Sequence, residues 1–328
     1  MSTYTARAKA HSNIALIKYW GKRHTGLKLP HNNSISLTLD KMYTETQIHF
    51  DPKLSQDSLI LDGHLALPKA TQRVAEFLDL VRTLYKVDLF AQVSSQNSFP
   101  TAAGLASSAS GFAALAHATN LALGLKLSPR ELSILARQGS GSASRSIFGG
   151  FSEWHKGEQE DGLDSFASPI ENQKPWPLCM VVLLLNKEHK QISSSVGMKR
   201  TVDTSPLYEG WLASIPADLI EMRLAIQNQD FDVLGPLMEH NALKMHATAL
   251  AARPSAIYWQ AQTLALLHWL QALRPKVQAY ATIDAGPNLK ILLQEEGLAE
   301  FILQLKTDHP HLEYIVNRSG PAVSGETL

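Results

Sequence analysis

The chain has 328 residues, 45% of them hydrophobic and 18% charged, with 30 lysines and arginines balancing 30 acidic side chains. That is enough apolar material to bury a sizeable core in one large domain or two intimate ones. The balanced charge excludes a whole-protein field that would draw DNA or an anionic membrane, so any phosphate binding has to be local.

At the N-terminus there is no long apolar region with a small-residue cleavage site, and Lys18 interrupts the only apolar stretch nearby. No run approaches the roughly 20 apolar residues that a bilayer-crossing helix needs. The single cysteine, Cys179, cannot form an intramolecular disulfide and reads as a small buried hydrophobe. Together these features predict a cytoplasmic protein with neither nucleic-acid nor membrane partners.

Strands are predicted over 4–10, 34–39 and 44–50, where residues alternate or are β-branched and aromatic, with polar punctuation between the runs. A helix is expected over 71–85 and a strand over 89–93. There follows a small-residue loop, Ser98 to Gly104, and an alanine-rich helix over 107–123. A shorter helix over 129–137 opens behind Ser128 as N-cap, with proline in the first turn, and runs into the stretch Gly139-Ser-Gly-Ser-Ala-Ser-Arg145. The second half begins with a buried strand over 179–185. Helices are predicted over 207–227, 231–250 and 257–273, then a strand over 278–283 that ends at Asp284-Ala-Gly-Pro-Asn288 and returns antiparallel over 289–293. With no repeat or flexible linker, two lobes, 1–186 and 187–328, should share a tight interface.

Three stretches could carry chemistry. In Pro100-Thr-Ala-Ala-Gly104-Leu-Ala-Ser107-Ser108 the small residues let the backbone approach a ligand while the next helix offers unpaired N–H groups, which suits phosphate. A capped, alanine-rich core helix is the plainer reading. Asp284 before Gly-Pro-Asn can be a catalytic carboxylate or an ordinary turn residue. Arg145 can grip an anion or lie on a helix surface, and Lys18 can be a buried cation or a snorkelling side chain. Neither G-x-x-x-x-G-K-[ST] nor a strand-linked G-x-G-x-x-G is present, and the 13 histidines show no zinc-binding spacing.

Taken whole, residues 100–110 resemble the phosphate-wrapping motif of the GHMP kinase superfamily. The stretches Asn13 to Lys22, Leu29 to Ser36, Asn97 to Gly111, Gly139 to Gly150, Ser193 to Met198 and Ala281 to Asn288 narrow the resemblance to its diphosphomevalonate decarboxylases. Ser195 stands where members of that family vary. The likeness implies a GHMP-kinase-like α/β (α+β) fold: an N-terminal ATP-binding lobe like domain 2 of ribosomal protein S5 and a ferredoxin-like, helix-rich C-terminal lobe around a deep cleft. It implies ATP-dependent decarboxylation of mevalonate 5-diphosphate to isopentenyl diphosphate, through phosphorylation of the 3-hydroxyl, with ATP and Mg²⁺, in a homodimer.

By the same likeness Asp284, Lys18 and Arg145 are the catalytic set, Arg145 gripping the substrate carboxylate. Tyr19, Lys22, Ser140, Gly141, Ser142 and Ser194 should hold the diphosphate end. Pro100, Ala103, Gly104, Leu105, Ala106, Ser107 and Ser108 should cradle the ATP phosphates, with Ser108 on the metal. The alternatives are a related enzyme that stops at 3-phosphorylation, one that decarboxylates mevalonate 5-phosphate, and a silent scaffold of the same fold.

Overall fold

The computed structural model describes residues 4–100, 107–171, 174–185 and 192–328. In chain order its elements are β1 (Thr5–Ile17), β2 (Lys22–His24), β3 (Leu29–Pro30), β4 (Ser34–Asp51), β5 (Ser58–Leu61), β6 (His64–Leu65), α1 (Pro68–Tyr85), β7 (Phe90–Asn97), α2 (Ser107–Ala122) and α3 (Pro129–Gly139). A 3-10 turn, Gly141–Ile147, leads to β8 (Phe151–Trp154), β9 (Ala167–Pro169) and β10 (Leu178–Leu184). The remainder is α4 (Ser194–Thr204), α5 (Tyr208–Asn228), α6 (Phe231–Leu250), α7 (Ala261–Leu273), β11 (Ala279–Ile283), β12 (Leu289–Gln294), α8 (Leu298–Asp308), β13 (Glu313–Asn317) and β14 (Ser324–Thr327).

Among the described residues, one sheet of eight strands runs β14-β1-β4-β7-β5-β6, with β8 on β4 and β9 on β8, and a sheet of four runs β11-β12-β10-β13. Ala6, Ala8, Ala10, Ile48 and Phe50 of the first sheet bury against α1, α2 and α3. Alanines on β1 let the alanine-rich α2 come close. Strand β10 is apolar on both faces because both are covered. Met180 and Val182 join α5 and α6, whereas Cys179, Val181 and Leu183 join α7 and α8. The cluster around Met180 also holds Ile14, Leu16, Ile35 and Leu37 of the first sheet, so one core runs through the seam between the sheets.

Several expectations are corrected. The two strands predicted over 34–39 and 44–50 are the single strand β4. Their polar punctuation forms an irregularity: pairing with β1 jumps from His11↔Tyr43 to Asn13↔Thr38, which bends the strands beside Asn13. Helix α1 starts at Pro68, not at 71, because proline fits the first helical turn. The helix predicted from 257 starts at Ala261. The sequence reading did not provide for α4, α8, β13 or β14, the last of which returns to pair with β1.

The seam also carries a bidentate ion pair. Glu153 on β8 receives Arg223 Nε at 2.6 Å and Nη2 at 2.7 Å, and Asn33 Nδ2 at 2.8 Å. Glu153 is 4% exposed and Arg223 36%. Burial alone would push the Glu153 carboxyl up, but the Arg223 and Asn33 donors hold it below its ordinary 4.5. A carboxylate with a depressed folded pKa stabilises above the unfolded value and loses that contribution as the pH falls through the folded one. Arg223→Met should therefore cost roughly 2–3 kcal/mol at pH 7, less than for a fully buried pair because Arg223 is partly solvated. The gap from wild type should narrow as the pH drops below 4.5. Urea unfolding across that range measures both, and a gap independent of pH would count against the pair.

Candidate active site

Between the sheets lies a cleft of about 680 Å³ lined by Asn13, Lys18, Tyr19, Lys22, Lys28, Lys69, Arg73, Ser108, the 139–142 stretch, Arg145, Ser193 to Ser195 and Asp284. Among the described residues, six cations and one carboxylate face it. The structure thus brings together Asp284, Lys18, Arg145, Tyr19, Lys22, Ser140, Gly141, Ser142, Ser194 and Ser108. Pro100 and Ser107 are described but do not line the cleft. Ala103, Gly104, Leu105 and Ala106 lie outside the described residues.

The Asp284 end of the cleft is assembled from opposite sides of the seam. Lys18, just after β1, is 2% exposed and donates to Asp284 Oδ1 at 2.7 Å and to Ala15 O at 2.9 Å. Its backbone is pinned from both ends: its N–H donates to Asn241 Oδ1 at 2.8 Å, and its carbonyl accepts from Asn32 Nδ2 at 2.8 Å. Asn241 in turn donates to Asp218 at 2.6 Å. Asp284 sits in the five-residue turn between β11 and β12, where Gly286 N–H donates to the Asp284 carbonyl at 2.7 Å. Lys290, on β12 and wholly buried, places Nζ 3.1 Å from Asp284 Oδ2 without an aligned hydrogen bond. Burial would raise the Asp284 pKa, but Lys18 and Lys290 hold it far below the usual carboxylate range. Burial also lowers the Lys18 ammonium, with Asp284 opposing.

Arg145 lies in the 3-10 turn, 2% exposed. It donates through Nε to Asn13 Oδ1 at 3.2 Å and Ser36 Oγ at 3.0 Å, and through Nη1 to Ser34 Oγ at 2.6 Å. No acidic side chain pairs with it among the described residues, and burial pulls its pKa to about 10. A guanidinium this deep with neutral partners is ready for an incoming anion. Asn13 also holds the turn, donating to Ser142 O at 3.0 Å and Ser146 Oγ at 2.8 Å.

At the other end Lys22 Nζ reaches Ser195 Oγ at 3.2 Å, next to the start of α4. Tyr19 meets Trp154 edge-on at 4.7 Å, and its buried hydroxyl has no partner among the described residues. Burial first, and Arg73 second, lower the Lys22 ammonium. Ser108 and Ser140 hydroxyls are 3.3 Å apart. They are hard oxygen donors, and no cluster of three or more His, Cys, Asp or Glu that could hold a metal occurs among the described residues. Such a site fits Mg²⁺ that takes most of its oxygens from nucleotide phosphates and water.

The sequence reading missed Lys290, Asn241, Lys28, Lys69 and Arg73. A lysine inside the apolar run Leu289–Gln294 was a visible signal, because an unpaired lysine does not bury. Lys69 and Arg73 are four apart and share a face of α1, which only the correct helix start reveals.

Two family descriptions match the chain: a diphosphomevalonate decarboxylase-like N-terminal domain over residues 10–167, and a mevalonate 5-diphosphate decarboxylase C-terminal domain over 180–320. The diphosphomevalonate decarboxylase of Ganoderma lucidum is 38% identical over 95% of this chain and 84% of its own length. The solved mevalonate diphosphate decarboxylase of Enterococcus faecalis is 45% identical with a TM-score of 0.92, covering 99% of each chain. A complex with MVAPP, AMPPCP and magnesium is 46% identical, again at 0.92 and 99% of each.

Beside Asp284, His246 of α6 lies 3.3 Å from the Ile283 carbonyl, with Trp259 at 5.0 Å and Tyr258 at 6.2 Å. Burial first, then Lys18, pull its pKa from 6.5 to about 3. Between those values the unfolded chain binds a proton that the folded one refuses, so this residue lowers stability as the pH falls, by about 1.4 kcal/mol per unit. His246→Gln keeps an N–H donor for Ile283 O but does not titrate. Unfolding free energies from pH 6.5 to 4.5 should fall less steeply in the variant by about that amount, and parallel curves would contradict the assignment.

Proposed function

Because the chain belongs to the diphosphomevalonate decarboxylase family, we infer that it catalyses the ATP-dependent conversion of mevalonate 5-diphosphate to isopentenyl diphosphate, ADP, phosphate and CO₂. The observation that carries the reading is a carboxylate clamped by buried ammonium groups, in one cleft with a buried arginine that has no acidic partner among the described residues. Relatives solved with MVAPP, AMPPCP and magnesium support ATP and Mg²⁺ as its companions.

In the first step the substrate 3-hydroxyl oxygen bonds to the γ-phosphorus of ATP, the bond to ADP breaks, and the hydroxyl proton passes by way of the partly exposed Asp284 carboxylate to water. Asp284, held ionised by Lys18 and Lys290, accepts the hydroxyl hydrogen bond and aims the oxygen. A loose phosphoryl transfer, in which the proton leaves late, needs no more. Lys18 lies where charge develops on the transferred group. In the second step the C–O bond to phosphate breaks and the C–C bond to the carboxylate supplies the electron pair of the new double bond. Arg145 holds that carboxylate in line and releases neutral CO₂. Tyr19, Lys22, Ser140, Gly141, Ser142 and Ser194 take the diphosphate. Pro100 to Ser108 take the ATP phosphates, Ser108 being the protein's hydroxyl on Mg²⁺.

Two lobes meeting at the seam, the first binding ATP, a homodimer and a cytoplasmic location belong to the same proposal. They rest on the family likeness.

The test supplies ATP-Mg²⁺ with mevalonate, its 5-phosphate or its 5-diphosphate and follows ADP and CO₂ together. Both products, most efficiently from the diphosphate, are expected. ADP without CO₂ would mean a 3-kinase, preference for the monophosphate a phosphomevalonate decarboxylase, and no product from any of the three a scaffold.

Arg145→Gln loses the charge and the bidentate fork, so turnover should drop by roughly 2–4 kcal/mol in barrier. The free protein should keep its melting temperature, because a buried cation without a counter-ion adds little stability. A melting point that falls in step with turnover would make Arg145 a structural residue instead.

A further inference from the structure

We propose that Lys290 is a positioning residue of the reaction, holding the second oxygen of Asp284 so that the carboxylate keeps one orientation and stays ionised throughout the cycle. The inference rests on the reading of Asp284 as the group that aims the substrate hydroxyl.

Lys290 follows the turn on β12, opposite Thr282 in the β11–β12 ladder. Its side chain is wholly buried and does not line the cleft, so it does not contact substrate. Its ammonium meets the side of Asp284 away from Lys18: Lys18 takes Oδ1 and Lys290 takes Oδ2. A carboxylate with a single cation swings about its χ2 bond, whose barrier is broad and low. Cations on both oxygens close that freedom. Lysine here is otherwise hard to explain, since its neighbours Leu289 and Ile291 pack into the core and an aliphatic side chain would fill the strand at no cost in buried charge.

The charged and titratable groups facing Asp284 are Lys18 beyond β1, Lys290 on β12, Arg145 in the 3-10 turn and His246 on α6. His246 is neutral and cannot replace Lys290. Arg145 is committed to Asn13, Ser34 and Ser36. Loss of Lys290 leaves the half-buried carboxylate with Lys18 as its one ion-pair partner among the described residues. Its pKa then rises, and the acid limb of the turnover profile moves up in pH.

The experiment compares wild type, Lys290→Met, Lys290→Arg, Asp284→Asn and the double variant Lys290→Met/Asp284→Asn. Lys290→Met keeps the stem and removes the charge. Its kcat should fall at least about 10-fold at neutral pH, with KM for both substrates within about 2-fold, and an acid limb set by Asp284, which in the wild type lies too low to enter the turnover profile, should rise toward the ordinary carboxylate range. Lys290→Arg should recover part of kcat and return the limb. In the Asp284→Asn background the Lys290 change should cost nothing further. A Lys290→Met enzyme with wild-type kcat and acid limb overturns the proposal, as does a lower melting temperature with an unmoved limb, or a full additional loss in the double variant. Should Lys290→Met fail to fold, Lys290→Gln carries the same test with a neutral donor on Oδ2. An Asp284→Asn enzyme that turns over normally would defeat the underlying reading of Asp284, whereas an inactive Asp284→Asn beside a normal Lys290→Met defeats the role of Lys290 alone.

Discussion

A carboxylate removed from water costs several kcal/mol unless cations and donors replace its hydration. Asp284 meets that condition from both sheets at once: Lys18 arrives from the end of β1 and Lys290 from β12. Neither sheet can supply both partners. The seam must therefore close for the charges to be satisfied, and the contacts around it serve that closure. Asn241 holds the Lys18 N–H, Thr282 Oγ1 donates to Ala15 O at 3.3 Å, and Arg223 clamps Glu153. The common apolar core provides the driving force, and the polar contacts fix the registration.

With the seam closed, the reacting end of the cleft is preorganised. Lys18 and Arg145 are 2% exposed and held by named donors and acceptors, so little reorganisation remains when substrate arrives. Local charge is not balanced there. Among the described residues Lys18, Lys290 and Arg145 outweigh Asp284, a surplus that the proposed substrate carboxylate and phosphoryl group would match. Such unmatched charge costs stability in the free protein and is recovered on binding, as expected where function and stability compete.

Much of this was legible in the sequence where one local rule decided the outcome. The buried strand at 179, the capped helix at Pro129 and the β11–β12 hairpin around Asp284 came from apolar runs, a Ser128 N-cap with proline in the first turn and a Gly-Pro turn. Helix α6 has the bounds read for it, Phe231–Leu250. Features set by distant pairing were not legible. β4 looked like two strands because its polar middle is tolerated only through an irregular pairing with β1, and β14 has no apolar pattern since all four residues are exposed. The resemblance named the loops, but not what holds them. Lys290, Asn241 and Ser34 act through contacts across more than a hundred residues or around a turn, and residue type alone does not reveal these.

The two ends of the cleft differ in kind, and so should their tolerances. Around the diphosphate end the backbone is fixed by glycines with no room for a side chain. Gly21 has φ +110 and would bring a Cβ to 2.0 Å from Tyr208 Oη, and a Cβ on Gly141 would meet the Trp154 ring at 2.7 Å. The cations there are another matter: Lys22 and Lys28 are half-buried, whereas Lys69 and Arg73 are exposed and held by few contacts. Each long side chain loses up to about 2 kcal/mol of rotamer freedom when it settles on a phosphate. That loss offsets much of what a surface cation contributes in water. At the reacting end the corresponding entropy has already been spent in folding, because Lys18, Lys290 and Arg145 are locked before substrate binds. Under the proposed assignment, discrimination between one and two phosphates would rest on adaptable groups that a neighbour can replace. The chemistry rests on buried charges that leave little margin for substitution.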